Sequence, residues 1–128
     1  MRKTRINIIK HKQVKSIELN SLNFHERALK SHKPVLVEFT ADWCGSCHIT
    51  APMIEKVMRQ FATKVKFGRI DYDTNRDLAK QYGVNKLPAL ILFKDGKAVD
   101  YILGTATKSD LTAKLTSIVD LRTDAECG

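Results

Sequence analysis

Cysteine is scarce in this chain, with three residues among 128. That excludes the disulfide lattice with which small secreted domains make up for a thin core. Long apolar runs are missing too: no stretch approaches the roughly 18 apolar residues of a membrane-crossing helix, so no membrane partner is expected. Nor does the N-terminus read as an export signal. Ile6-Asn7-Ile8-Ile9 is broken by Asn7 and stops at Lys10, short of the usual apolar core of about 7–15 residues. The expected location is cytoplasmic. Repeats, low-complexity stretches and linkers are also lacking, and 128 residues make one domain. At that size folding buries about two-thirds of the unfolded chain's surface, enough for a core without structural disulfides.

Acidic residues are absent from the first 17 positions. Arg2, Lys3, Arg5, Lys10, Lys12 and Lys15 all precede Glu18, and they account for most of the formal net charge of +8. The excess therefore belongs to an N-terminal arm, residues 1–13, expected to be mobile. The arm holds no aromatic residue to stack on a base, so nucleic acid is not an expected partner.

Alternating short elements fill the rest of the chain. Val14, Ile17 and Leu19 outline a strand over 14–19. Asn23 and Glu26 have capping-box spacing for a short helix ending near Ser31. Pro34 opens a near-continuous apolar strand over 35–40, the pattern of a central strand covered on both faces, with Glu38 as its exception. Ile49, Met53, Val57 and Phe61 recur at helical spacing over 47–61, with Pro52 inside. Val65, Phe67 and Ile70 mark another strand, and Asn75 is placed to cap a helix from Arg76 to about Tyr82 that Gly83 stops. Residues 89–93 read as a buried strand, Asp95-Gly96 as a hairpin turn, and 98–103 as the returning strand ended by Gly104. Thr107 and Asp110 form a second capping box, before a final helix striped by Leu111, Leu115, Ile118 and Val119. The domain is expected to span 14–121, with a frayed tail at 122–128. Strands alternating with helices, then a hairpin and a helix, argue for an α/β sandwich.

Chemistry concentrates in Trp43-Cys44-Gly45-Ser46-Cys47-His48. Two thiols with two residues between them, where a strand passes into a helix, can close on each other or open. Unpaired N–H groups and the macrodipole at a helix start favour negative charge. A Cys pKa near 8.5 falls to about 3.5–7.5 in such surroundings, which makes Cys44 the candidate nucleophile. Cys47, one turn further in, reaches the same sulfur and is expected to be more buried. Two other chemistries fit a Cys-x-x-Cys. Zinc wants four ligands, and the only remaining cysteine is Cys127, so no metal is expected. His48 completes a pattern for covalent haem attachment, but that reading needs export and a mainly helical chain.

This order, carrying Ala41-Asp42-Trp43-Cys44-Gly45-Ser46-Cys47, resembles the thioredoxin family over about residues 14–121. The likeness includes the carboxylate in the strand before the motif, Pro52, Leu87-Pro88, Asp95-Gly96 and Gly104. It implies a three-layer sandwich in which helices flank a mixed five-stranded sheet. It implies a cis Leu87-Pro88 bond, and a substrate-gripping surface formed by Trp43, Leu87, Pro88 and Gly104 around the active-site turn Gly45-Ser46. Glu38 becomes the buried carboxylate that takes the proton from Cys47, with a pKa raised by burial away from partners. His48 is read as a solvated helix residue, and Arg69 and Asp73 as surface charge.

The family's activity implies a thiol–disulfide oxidoreductase that reduces protein disulfides. Electrons would come from a thioredoxin reductase-type flavoprotein that uses NADPH. The dithiol is itself the carrier, so no cofactor is implied, and a monomer is the expected state. The alternatives are a disulfide oxidase or isomerase of an oxidising compartment, and a binding module that keeps only the fold. Two residues depart from the family: Ser46 replaces the usual Pro between the cysteines, and His48 the usual Lys after them. Losing the Pro returns an N–H near the sulfurs, which favours the thiolate and a more oxidising couple.

Overall fold

The computed structural model describes residues 15–127, with side chains as far as residue 119. Its elements are β1 (Ile17–Leu19), α1 (His25–Leu29), β2 (Val35–Thr40), α2 (Gly45–Phe61), β3 (Lys66–Asp71), α3 (Arg76–Gln81), β4 (Ala89–Lys94), β5 (Lys97–Leu103) and α4 (Lys108–Cys127). The expected arm at 1–13 and Val14 lie outside the described residues. α4 runs past Leu121, the expected end of the domain, as far as Cys127, while the side chains of that stretch lie outside the described residues.

The five strands form one mixed sheet in the order β1-β3-β2-β4-β5. β3 runs parallel to both β1 and β2, whereas β4 is antiparallel to β2 and β5 to β4. The central pair, β2 and β4, is almost wholly buried, as their continuous apolar runs require. Because strand side chains alternate, β2 feeds two separate cores. Val35, Val37 and Phe39 join Phe24, Ala28, Leu78 and Ala79 beneath α1 and α3. Leu36 joins Ile54, Val57, Met58, Leu111 and Leu115 beneath α2 and α4. Helices therefore cover both faces of the sheet.

The local signals act in different ways. Asp95 and Gly96 both take positive φ (52° and 81°), the conformation a two-residue hairpin needs to match strand twist, and Lys94 pairs with Lys97 across it. Gly83 (φ 72°) ends α3 in a Schellman arrangement: Gly83 N–H donates to the Lys80 carbonyl and Val84 N–H to that of Ala79. Thr107 Oγ1 accepts the Asp110 N–H at 3.0 Å, capping α4.

The expected Asn23/Glu26 box does not form. Asn20 and Asn23 instead bond each other's N–H groups (2.8 and 3.0 Å), so the reciprocal cap sits one turn earlier. α1 is a single π-helical turn without a side-chain cap of its own. Asn75, expected to cap α3, also makes no capping bond. Its carboxamide turns to β1's side of the fold, where it accepts from Ser21.

Candidate functional site

Cys44 is the N-cap residue of α2. Its extended backbone (φ −87°, ψ 103°) places Sγ over the first turn, where it accepts the Cys47 N–H at 3.1 Å. Sulfur thus occupies the position in which a Ser or Asp oxygen caps other helices. A thiolate there receives both that N–H and the positive end of a 17-residue helix. Cys47 lies inside the first turn of the same helix, Cα–Cα 5.3 Å from Cys44, and the two are joined as a disulfide. Cys44 is 5% exposed and Cys47 2%, so the inner sulfur is the less accessible of two buried ones.

The pair shares a small apolar cluster with Ala41, Tyr72 and Leu87. Trp43 stands beside it, 64% exposed, with its indole N–H donated to Asp73 Oδ2 at 2.9 Å. Its ring meets Tyr72 edge-on, centroids 6.5 Å apart. Across the site Leu87-Pro88 is the cis bond that the resemblance implied. Gly104 (φ 88°) donates its N–H to the Pro88 carbonyl at 2.8 Å, tying the end of β5 to the cis loop. Ser46 Oγ lies 3.5 Å from Cys44 Sγ and 3.4 Å from the Leu87 carbonyl, which it can donate to. A side chain at Gly45 would meet nothing within 4 Å, so the turn is open to solvent. Trp43, Ser46, Leu87, Pro88 and Gly104 are thereby gathered around the cysteines.

Glu38 is 1% exposed, in the middle of the sheet. It is not isolated, and the expectation that it lies away from partners is corrected. β2 and β3 are in parallel register with Glu38 opposite Arg69, so the two side chains share a face. Arg69 Nε donates to Glu38 Oε1 at 3.0 Å, and Arg69 Nη2 to Glu55 Oε2 of α2 at 3.3 Å. Burial pushes the Glu38 carboxyl above its usual range, the Arg69 cation pulls it down more weakly, and Glu55 adds a small upward push. A carboxyl held above its ordinary pKa is a better proton acceptor than an exposed one.

Of the two residues read as surface charge, Asp73 is exposed as expected and Arg69 is half-buried, but both have specific partners. Arg69 is the counterion of the buried carboxylate, and Asp73 holds the indole. Tyr72 was missed altogether. The available signal was position: Tyr72 and Asp73 directly follow β3, and loops at strand ends line sites in α/β sheets. His48 is exposed, as expected of a solvated helix residue, but its Nε2 lies 2.7 Å from the Asp42 carbonyl. Among the described residues no group of three or more His, Cys, Asp or Glu could hold a metal ion. No described helix is long and apolar enough to cross a membrane.

Comparison with known proteins agrees with this geometry. The thioredoxin family model matches residues 15–117. The chain is 38% identical to a thioredoxin of Synechocystis sp. over 98 residues, which are 77% of this chain and 92% of that one. It is 39% identical to thioredoxin 1 of Synechococcus elongatus, across 72% of this chain and 86% of the relative. It is 39% identical to the thioredoxin of Mycobacterium tuberculosis over 104 residues, 81% of this chain and 90% of the relative. A redox pair capping a helix beside a cis-proline loop, within a chain matched along most of its length, has one reading: this chain belongs to the thioredoxin family and is a thiol–disulfide oxidoreductase that reduces protein disulfides.

Proposed function

We propose that Cys44 is the attacking thiolate, Cys47 the resolving thiol and Glu38 the group that accepts the Cys47 proton. In the reduced protein Cys44 Sγ attacks one sulfur of a substrate disulfide. A Cys44–substrate disulfide forms, and the other substrate sulfur leaves as a thiolate. Glu38 takes the Cys47 proton, directly or through water. Cys47 Sγ then attacks Cys44 Sγ, the mixed disulfide breaks, and the second substrate thiolate departs. The substrate has gained two electrons and the protein holds the Cys44–Cys47 disulfide. A flavoprotein reductase supplied by NADPH returns the pair to the dithiol.

The observation that carries this reading is the Cys44 sulfur in the N-cap position of α2, bonded by the Cys47 N–H. Trp43, Leu87, Pro88 and Gly104 form the surface on which an extended substrate segment lies, and Gly45-Ser46 is the turn it crosses. The protein works as a monomer in the cytoplasm, without a bound cofactor, nucleic acid or membrane.

Trapping tests the assignment. Cys47→Ser leaves the first attack intact and removes the second, so it should accumulate mixed disulfides with protein substrates through Cys44. Cys44→Ser should trap none. Trapping by Cys44→Ser rather than Cys47→Ser would reverse the roles. Insulin reduction driven by a thioredoxin reductase and NADPH checks the direction and the donor.

A further inference from the structure

Three polar or charged side chains are buried among the described residues: Glu38, Thr50 and Asn75. Glu38 serves the redox pair, and Thr50 satisfies itself on the Ser46 and Cys47 carbonyls of its own helix. Asn75 is different. It holds the N-cap position of α3, where an Asn side chain ordinarily caps, yet it caps nothing. Its Oδ1 accepts the Ser21 N–H at 3.0 Å and lies 3.3 Å from Ser21 Oγ, 54 positions away in the chain. Its Nδ2 donates to the Asp71 carbonyl (3.0 Å) and to Thr74 Oγ1 (3.1 Å). A buried amide using both ends in this way clamps two segments together.

The clamped segment is the turn that carries Tyr72 and Asp73. Tyr72 packs on the cysteine cluster, and Asp73 accepts the indole N–H. Trp43 is mostly solvent-exposed, so burial does not fix its ring. The contacts that orient it are the Asp73 bond and the Tyr72 edge, both supplied by this turn. The geometry points to Asn75 as a positioning residue: by anchoring the 71–75 turn to Ser21 it sets the angle of Trp43 beside the disulfide, and with it the affinity for protein substrates. This inference rests on the oxidoreductase reading for its effect on substrates, but its structural half stands apart.

Trp43 is the only tryptophan, so fluorescence reports it alone. Asn75→Ala should widen the fast motion of the indole in time-resolved anisotropy. It should raise KM for insulin about fivefold, the factor expected from loss of the one Asp73–indole hydrogen bond. Alkylation of Cys44 by iodoacetamide should be unchanged, since the N-cap is untouched. In a Trp43→Ala background the same substitution should add no further rise in KM. Asn75→Asp, nearly isosteric, keeps an acceptor for Ser21 but loses the donor to Asp71. It should free the indole as well, and it serves if the alanine variant does not fold. Unchanged indole motion in a folded variant, or KM effects that add fully across the two sites, would overturn the inference. If the wild-type protein reduces no insulin, the oxidoreductase reading fails, while the anisotropy still decides whether Asn75 orients Trp43.

Discussion

Arg69 Nε sits 3.0 Å from Glu38 Oε1, so the one acidic side chain buried among the described residues is paired with a cation that is itself partly exposed. The pair lies side by side on neighbouring parallel strands, and Arg69 reaches on to the partly exposed Glu55 in the middle of α2. The carboxyl is thus desolvated from within and partly compensated from the rim. Burial outweighs the cation, and the pKa is raised.

If Glu38 accepts the Cys47 proton, as proposed, Glu38→Gln should slow disulfide exchange at neutral pH, and stopped-flow kinetics would show it. Rates equal to wild type would remove Glu38 from the mechanism.

The same carboxyl makes stability depend on pH. A raised pKa means the folded state binds the Glu38 proton more tightly than the unfolded state does. Its contribution is complete below the ordinary value of 4.5 and is lost as pH rises through the folded pKa. Urea unfolding from pH 4.5 to neutrality should therefore show wild type losing stability relative to Glu38→Gln. Parallel curves would contradict it.

Removing the cation should act in the opposite sense to a compensating charge. Arg69→Gln leaves Glu38 desolvated without its partner, so the pKa rises further and the pH profile of exchange moves toward alkaline values. An acid-ward shift would show that Arg69 does not govern this carboxyl.

Ser46 should make the couple more oxidising than a proline at that position. A disulfide sulfur carries no proton, so only the Ser46 hydroxyl can donate in the contact with Cys44 Sγ; its single proton is shared with the Leu87 carbonyl, and a thiolate competes for it better than a disulfide does. The potential should lie above thioredoxin's own known value of about −270 mV, and Ser46→Pro should lower it. Titration against a glutathione buffer decides; a wild-type value at or below that figure refutes the argument.

Gly68 tests the packing of the sheet. A Cβ built there would run into the side chain of Leu19, which is itself 1% exposed and has little room to retreat. Gly68→Ala should cost about 1–3 kcal/mol, the usual penalty for overpacking a core. Denaturant midpoints measure it, and an unshifted midpoint would mean that β1 yields easily.

Features that depend on near neighbours in the chain could be read directly. The Asp95-Gly96 hairpin, the Gly83 stop and the Thr107 cap each involve a few consecutive residues whose backbone preferences suffice. Cys44 as N-cap belongs with them, since a strand running into an amphipathic helix fixes which cysteine stands outside the first turn. The asparagine caps were harder. Asn23 and Asn75 have the right chemistry at the right spacing, but an amide can bond wherever the fold offers a partner. Asn20 and Ser21 offered one.

Composition and order alone were enough to specify an α/β sandwich and a helix-capping dithiol, because periodicity, turn residues and caps act within a few positions of each other. Strand register is different. Nothing in the order of residues says that Arg69 lies opposite Glu38, or that the turn after β3 meets Trp43 and reaches back to Ser21. Those partners are 30 or more positions apart in the chain. Their meeting depends on how the strands slide and pair, which only the folded sheet sets. The helix-capping sulfur is local chemistry; the Glu38–Arg69 pair and the Trp43–Asp73 and Asn75–Ser21 contacts are products of tertiary packing.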